Sequence, residues 1–292
     1  MVTKNRTPDY LEIFIQDCRF RNLSEKTLKD YSWHLTALNK ELGDWQTIDK
    51  SGVKSLVLRL MDKGLSPASA NHYIRAAKAF YSFLVREGYL ENNPMAGLQL
   101  VNMPRKLKPV LEPKQISKML SSIPDTCFYK IRDKVMILIL WDTAIRLKEL
   151  LNIQFDDLDL KMGTVKITGK GNKDRIVPLG RKTIRELIKY LKHRGDNHSP
   201  LLFSTKDGVK IMQRNFQRTI AKYGQKIGVK VSPHLIRHSA ATFLAKSEMP
   251  AQHIQILLGH SSLNTTQRYI NQIVNQQGLQ ISHRRLSPGD RI

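Results

Sequence analysis

Residues 232–246 have the sequence SPHLIRHSAATFLAK, which predicts a helix with polar side chains at its start. Ser232 is a favoured N-cap residue, and Pro233 suits the first turn because an N–H group there has no helical partner. The apolar side chains that predict a buried face recur at helical spacing: Ile236, Ala240, Phe243 and Leu244. We therefore expect a helix that begins at Ser232 and packs one face into a core.

His234 and Arg237 are three residues apart, so both should project from the first turn of this helix. The free N–H groups and the positive end of the helix dipole point the same way, and this combination favours an anion. The alternative is a capped surface helix with incidental polar residues. This segment alone supports both interpretations equally.

Four further residues of similar chemistry each have an ordinary structural alternative. Arg146 precedes a predicted helix and is either an internal ion-pair partner of Glu149 or a phosphate ligand. Lys170 lies at the tip of a predicted hairpin, where a solvated lysine is the default. His260 follows the glycine expected to end a helix, where a histidine usually serves only as a hydrogen-bonding residue. Tyr269 lies on a further short predicted helix, and a single tyrosine is more often core or interface than nucleophile.

Taken together, two arginines, two histidines, one lysine and one tyrosine are the set that phosphoryl transfer without a metal requires. The planar guanidinium matches phosphate oxygens, and its grip strengthens as charge builds on them in the transition state. A tyrosine hydroxyl with a pKa of about 10 needs a neighbouring base or positive charge to attack at neutral pH. A lysine on a flexible hairpin can protonate the leaving oxygen.

The net charge of the 292-residue chain is +23, and it is unevenly distributed. Residues 1–100 carry 14 Lys and Arg against 11 Asp and Glu, whereas residues 101–292 carry 34 against 14. Such asymmetry indicates a polyanionic partner, most often nucleic acid or an acidic membrane face. A basic ribosome-associated or merely soluble protein is the alternative.

Several classes of protein are disfavoured by what the sequence lacks. The longest apolar run, residues 135–141, is too short to cross a bilayer and predicts a buried core helix. The N-terminus has no apolar signal segment, so we expect a cytoplasmic protein. Cys18 and Cys127 are too few for a disulfide framework or a cysteine zinc site, and we expect both to be reduced and structural. No P-loop, HExxH or GxSxG motif is present, and the carboxylates at 156–159 suggest an exposed turn and strand edge rather than a metal site.

Residues 8–90 predict four short helices, with N-terminal signals at Ser24 and at Ser66-Pro67 and ends near Gly43, Gly64 and Gly88. Two pairs of basic residues share helix faces there and either grip phosphates or form a solvated surface: Lys26 and Lys29, and Arg75 and Lys78. A proline-containing stretch without periodicity, residues 101–110, predicts an extended linker.

A second domain is predicted from residue 111. It should begin with helices at about 113–122, 128–142 and from Arg146 onward. Three short strands should follow at about 155–159, 164–168 and 174–179, and the pattern is then helical again to about residue 281. The fold class expected is mainly α with a small antiparallel β-sheet (α+β) in this second domain.

Five motifs in order resemble those of the tyrosine recombinase family, especially its short Xer-like and integrase-like members. They are TAIRLKEL at 143–150, GKGNKDRIVPL at 169–179, HLIRH at 234–238, LGHSS at 258–262 and TTQRY at 265–269. The resemblance covers nearly the whole chain. Two departures occur: Ala144-Ile145 replaces the commoner Gly-Leu, and Lys148 stands where a small polar residue is usual.

The resemblance implies a role for each of the six residues. Tyr269 would attack the scissile phosphate, forming a 3′-phosphotyrosyl bond and freeing a 5′-hydroxyl. Arg146 and Arg237 would stabilise the phosphorane, with His234 and His260 assisting. Lys170 would be the general acid, with Lys173 as the alternative lysine. Neither ATP nor a metal cofactor would be required.

The resemblance also implies an architecture and a partner. Residues 1–100 would be a helical, SAM-like core-binding domain, residues 101–110 a linker, and residues 111–292 the catalytic domain with a C-terminal tail. The two domains would clamp double-stranded DNA, and four copies would act on two sites, with the tail docking on a neighbour or in cis. Chromosome or plasmid dimer resolution is the role expected first. Integration of a virus or mobile element, a non-catalytic DNA-binding regulator and a relaxing topoisomerase are the alternatives.

Overall fold

The computed structural model describes residues 9–103, 109–169, 173–247 and 249–259. Their contacts divide the chain into two compact units, residues 1–107 and 108–292. Each unit has its own hydrophobic core. In the described part of the chain, no helix is long and apolar enough to span a membrane.

The first unit contains the four helices that the sequence predicts: α1 Tyr10–Phe20, α2 Glu25–Leu42, α3 Lys50–Asp62 and α4 Pro67–Arg86. The Ser24 side chain accepts from the N–H of Thr27, and the Ser66 side chain accepts from the N–H of Ser69, so both predicted N-caps are confirmed. Helix α4 packs against each of the other three and supplies much of the core, including Phe80.

The second unit begins with α5 Pro113–Ser121, α6 Phe128–Thr143 and the short α7 Leu147–Leu150. After the sheet it continues with α8 Arg181–Arg194, α9 Gln213–Lys226, α10 Pro233–Lys246 and α11 Ala251–Leu258. Every residue of α6 from Val135 to Leu140 is buried, and the helix packs against α8 and α10. The apolar run at 135–141 therefore forms the core helix that was expected, around which the unit is built.

A three-stranded antiparallel sheet lies between α7 and α8, with strands β1 Leu158–Asp159, β2 Thr164–Thr168 and β3 Asp174–Pro178 in that order. Val165 pairs with Val177, and both are buried, as the alternating pattern predicts. The predicted first strand at 155–159 is wrong in its first half. Residues Phe155–Asp157 form a 3-10 helix because a carboxylate oxygen of Asp157 accepts the Gln154 N–H at 2.9 Å and closes a turn.

Two further expectations about burial are wrong. Phe243, predicted in the buried stripe of α10, is 41% exposed, and its ring lies 5.9 Å from that of Trp141. The reason is that α10 buries Ile236–Thr242 almost completely, so its inward face differs from a simple 3.6-residue stripe. Cys127 is exposed at the start of α6, whereas Cys18 is buried as expected.

The ends of the predicted linker are held by side chains of the unit on their own side. The Asn71 amide on α4 donates to the carbonyl of Val101 at 3.0 Å and accepts its N–H at 2.8 Å. The N–H of Leu111 donates to the hydroxyl of Ser239 on α10 at 2.8 Å, where both groups are buried. The start of the second unit is thus hydrogen-bonded to the helix that carries His234 and Arg237.

Candidate active site

The corner between α6 and α7 positions Arg146. Helix α6 ends at Thr143, and its C-cap residue Ala144 adopts a left-handed conformation with φ of 52° where the family pattern usually has glycine. Arg146 is then the N-cap of α7. Its N–H donates to Glu149 Oε2 at 2.8 Å, and its Nη1 donates to Glu149 Oε1 at 2.8 Å. The ion pair that the sequence offered as an alternative is therefore present, yet the Arg146 side chain is still 41% exposed.

Glu149 is buried and is shared by a second arginine. Arg175 on β3 donates through Nη2 to Oε2 at 2.8 Å and through Nη1 to Oε1 at 3.3 Å. Burial alone would raise the pKa of the Glu149 carboxyl, but the hydrogen bonds from Arg175 and from the Arg146 N–H outweigh burial and lower it. Glu149 is thus a buried carboxylate with four N–H donors.

Arg237 lies inside the unit rather than at its surface. Its side chain bridges two chain segments, with Nη1 donating to the carbonyl of Ala144 and Nη2 to that of Leu258, both at 2.8 Å. His234, on the first turn of α10, is exposed. The two residues both lie near the start of α10, as predicted, but Arg237 is buried whereas His234 is exposed.

The end of α11 is where three guanidinium groups converge. Arg175 Nε donates to the carbonyl of Leu257 at 3.2 Å, and Arg237 reaches Leu258. Both Nη atoms of Arg146 lie 3.4–3.5 Å from the carbonyl oxygen of Gly259, which are long contacts. The last carbonyls of a helix carry partial negative charge and attract cations. Three arginines against one glutamate leave the cluster net positive, so it can bind an anion next to the start of the segment that carries His260 and Tyr269.

Three of the six predicted active-site residues, Lys170, His260 and Tyr269, lie outside the described residues. The neck of the predicted hairpin is described: the N–H of Gly169 donates to the carbonyl of Lys173 at 2.9 Å. Lys173, the alternative lysine, is exposed.

The four basic residues proposed for the first unit are all exposed on α2 and α4: Lys26, Lys29, Arg75 and Lys78. Lys78 is partly engaged, because its Nζ donates to the carbonyl of Leu98 at 2.9 Å. Among the described residues, no group of three histidine, cysteine, aspartate or glutamate side chains is arranged to hold a metal ion. Asp157, one of the clustered carboxylates, instead pairs with Lys166 at 3.1 Å.

Sequence reasoning missed the part that Arg175 plays. A signal was available, because strand alternation places residues 175 and 177 on one face and Ile176 on the other. In the structure Val177 is buried and the Arg175 side chain is 11% exposed, whereas Ile176 is 67% exposed. An arginine on the inward face of a strand indicates a buried partner, and here that partner is Glu149.

Glu149→Gln should destabilise the second unit at neutral pH. Removing the charge leaves the largely buried guanidinium of Arg175 without its counter-ion, at a cost of about 3–5 kcal/mol in the free energy of unfolding. Because the folded pKa of Glu149 is lowered, its stabilisation is present above the ordinary pKa of 4.5 and is lost as the pH falls through the folded value. Urea unfolding should therefore give a difference between wild type and variant that shrinks below about pH 4.5.

Asp207→Asn is the matched control, because Asp207 is an exposed carboxylate of the same unit. It should change stability little at any pH. A Glu149→Gln protein as stable as wild type at pH 7 would contradict the assignment of Glu149 as the charged centre of the cluster.

Comparison with known proteins matches both units. A model of the phage integrase family matches residues 109–276, and a model of the phage integrase N-terminal SAM-like domain matches residues 11–88. The chain is 34% identical over 259 residues to the tyrosine recombinase XerC of Salmonella typhi. This alignment covers 85% of this chain and 86% of the relative. It is 30% identical over 275 residues to the tyrosine recombinase XerD of Listeria monocytogenes, covering 89% and 92%.

Solved structures agree on the fold. The crystal structure of the XerH site-specific recombinase bound to palindromic difH substrate, a post-cleavage complex, superposes with a TM-score of 0.76 at 24% identity. The superposition covers 94% of this chain and 83% of the XerH chain. The family-model matches over both units, together with these relatives, define the class to which the chain belongs. The chain belongs to the phage integrase family, and it is a site-specific tyrosine recombinase that cleaves and rejoins DNA.

Proposed function

We propose that this recombinase acts in the cytoplasm on two copies of a specific DNA site, using Tyr269 as its covalent nucleophile. The observation that carries the proposal is the convergence of Arg146 and Arg237 at the end of α11, because the chain runs from there directly into His260 and Tyr269. A scissile phosphate bound by this cluster would lie beside the segment that supplies the nucleophile.

The reaction is a phosphoryl transfer in two balanced steps. The Tyr269 oxygen attacks phosphorus, the bond to the 5′-oxygen of the next nucleotide breaks, and a 3′-phosphotyrosyl diester forms. The tyrosine proton passes to a histidine, His234 or His260, and Lys170 protonates the departing 5′-oxygen. A 5′-hydroxyl from the partner strand then attacks the diester and passes its proton to Lys170, while the departing Tyr269 oxygen takes back its proton from the histidine. The phosphodiester energy is kept in the covalent bond, so no nucleotide hydrolysis is needed.

Arg146 and Arg237 have the same electrostatic task but different settings. Each presents N–H donors to the non-bridging oxygens, where negative charge grows as the phosphorane forms. Arg146 is half-exposed and its charge is partly balanced by Glu149. Arg237 is buried and held by two carbonyls, which fixes its guanidinium before substrate binds. Such preorganisation reduces the reorganisation needed in the transition state.

The two units would close around duplex DNA as a clamp, with the linker crossing one side. In the first unit, Lys26 and Lys29 on α2 and Arg75 and Lys78 on α4 would contact phosphates, which positions the duplex without reading its sequence. The concentration of positive charge in residues 101–292 supports a larger contribution from the catalytic unit. Four copies would assemble on two sites, with the C-terminal tail docking on a neighbour.

The biological role that we propose is resolution of chromosome or plasmid dimers. Its support is the likeness to XerC and XerD relatives that are covered over 86% and 92% of their length. Integration of a virus or mobile element is the second candidate, because the matching domain model is that of the phage integrases.

Covalent trapping tests the proposed chemistry. The substrate is a duplex selected for binding from a random-sequence library and nicked just 3′ of each candidate cleavage position in turn, with EDTA present. Cleavage then releases a short 5′-hydroxyl fragment, so rejoining fails and the adduct accumulates. We expect a protein–DNA adduct that survives denaturation and maps by peptide mass spectrometry to residue 269. Tight binding without an adduct at any nick position would instead indicate a non-catalytic regulator.

A further inference from the structure

The guanidinium of Arg175 connects three elements that are distant in sequence. It extends from β3 and donates hydrogen bonds to both carboxylate oxygens of Glu149 on α7. Its Nε also donates to the carbonyl of Leu257 near the end of α11. Leu257 is 82 residues away along the chain, and Glu149 is 26 residues away. The planar guanidinium of Arg175 therefore fixes how far β3, α7 and the last turn of α11 lie from one another.

Strand packing alone does not favour arginine at this position. Burying a charged side chain costs free energy unless it is paired and hydrogen-bonded, and an apolar residue would fill the inward face of β3 without that requirement. Here the apolar Ile176 points outward and the charged residue inward. An arginine at this position thus costs free energy of burial, and in return it fixes the geometry of the arginine cluster.

Gly259 allows this arrangement at the end of α11. Its φ is +58°, a conformation that L side chains rarely adopt, and an added Cβ would lie 2.8 Å from Arg175 Nη1. The absence of a side chain at residue 259 therefore lets the guanidinium pack directly against the backbone of the corner. Any larger residue would displace Arg175 from α11.

The charge of Arg175 also affects Arg146. Glu149 Oε1 accepts from Nη1 of Arg146 at 2.8 Å and from Nη1 of Arg175 at 3.3 Å. With Arg146 alone, the carboxylate would neutralise the charge of that arginine. With Arg175 as second partner, the Arg146–Glu149–Arg175 group has a net charge of +1 at neutral pH, which favours an anion.

We propose that Arg175 is a positioning residue for DNA cleavage, which holds Glu149, and through it Arg146, in register with the end of α11. This inference rests on the proposed function, in which Arg146 binds the scissile phosphate and the segment after Gly259 carries His260 and Tyr269. Arg175 itself touches neither the phosphate nor the nucleophile in this scheme. It fixes the separation between the group that binds the phosphate and the chain that delivers the attacking oxygen.

The variants Arg175→Met and Arg175→Lys distinguish an effect on the rate of adduct formation from an effect on DNA affinity. A displacement of about 1 Å at a reacting centre costs about 100-fold in rate, so we expect the single-turnover adduct rate of Arg175→Met on the nicked duplex to fall by about that factor. The DNA dissociation constant should change little, because many other cations contact phosphates. Arg175→Lys should lose less of the rate than Arg175→Met, because its ammonium can reach Glu149 or Leu257. It cannot bridge both groups as the guanidinium does.

A double-mutant cycle with Gly259→Ala tests whether the contact itself is responsible. The new methyl group should displace the guanidinium and slow adduct formation by about tenfold in the wild-type background, the rate equivalent of about 1.4 kcal/mol. In the Arg175→Met background the same substitution should have a much smaller effect, because no guanidinium remains to be displaced. Gly228→Ala is the matched control: its φ is +73° with nothing within 4 Å of the added Cβ, so it imposes similar backbone strain and should leave the rate unchanged.

The outcomes distinguish this inference from the function on which it depends. Absence of any adduct with wild-type protein would reject the proposed function itself. A wild-type adduct at residue 269, together with an unchanged rate in Arg175→Met or full additivity in the cycle, would overturn only the role of Arg175. Parallel losses of DNA binding and of the cooperative unfolding transition in Arg175→Met would also overturn it, since they would show a purely structural residue.

Discussion

Tyr269→Phe should abolish the covalent protein–DNA adduct while leaving affinity for the duplex nearly unchanged. The substitution removes one oxygen, the atom proposed to bond to phosphorus, and keeps the aromatic ring. No other part of the proposed mechanism supplies a nucleophile, so the loss should be complete rather than partial. The adduct is measured on the nicked duplex by denaturing gel, and affinity by equilibrium binding at fixed salt, because phosphate contacts make affinity depend strongly on salt.

Tyr129→Phe provides the matched control, since Tyr129 is an exposed tyrosine of the same unit at the start of α6. It should form the adduct at the wild-type rate. An adduct that persists in Tyr269→Phe would show that a different residue is the nucleophile. Loss of binding together with the adduct would show that the hydroxyl serves folding rather than chemistry.

Local rules were sufficient to predict most of the helices. The N-cap serines at 24, 66 and 232 all accept a hydrogen bond from the third residue beyond them, which is an interaction within one turn. The strand at 164–168 was also predicted with its observed bounds, because alternation and turn chemistry are local. Where a competing local bond exists, prediction fails, as at residues 155–157, where the Asp157 side chain closes a 3-10 turn.

The candidate site was only partly predictable, because its geometry depends on contacts between distant segments. The Arg146–Glu149 pair is separated by three residues and was foreseen as one of two alternatives. The bonds from Arg237 to Ala144 and Leu258 span 93 and 21 residues, and no periodicity in the sequence indicates them. For the same reason, the motif GKGNKDRIVPL identified Lys170 by resemblance but gave no role to Arg175 within it.

Burial explains why two arginines with the same proposed task should respond differently to mutation. Arg146 is half-exposed, and its counter-ion Glu149 keeps a second partner if Arg146 is lost. Arg237 is buried and satisfies two carbonyls at the ends of α6 and α11. Replacing Arg237 therefore affects both the phosphate site and the connection between these helices, so the larger effect is expected there.

Arg237→Lys should lower the single-turnover rate of adduct formation by about 10²–10³-fold, the cost of losing one preorganised donor to a developing negative charge. A guanidinium has five N–H donors in a fixed plane, enough to hold two carbonyls and a phosphate oxygen together. An ammonium keeps the charge but cannot reproduce this planar bridge. We expect DNA affinity to fall much less than the rate, because the interaction strengthens mainly in the transition state.

Arg194→Lys controls for the structural part of the loss. Arg194 lies in the same unit and also donates to carbonyls through its guanidinium, at 2.6 Å to Ser199, 3.3 Å to Leu201 and 3.4 Å to Gly195. A carbonyl left without its donor costs about 1–3 kcal/mol in the free energy of unfolding, and this cost should appear in both variants in urea titrations. Only Arg237→Lys should lose cleavage at saturating DNA under conditions where both proteins are folded. Equal rates in the two variants would mean that Arg237 holds helices together and does not stabilise the phosphorane.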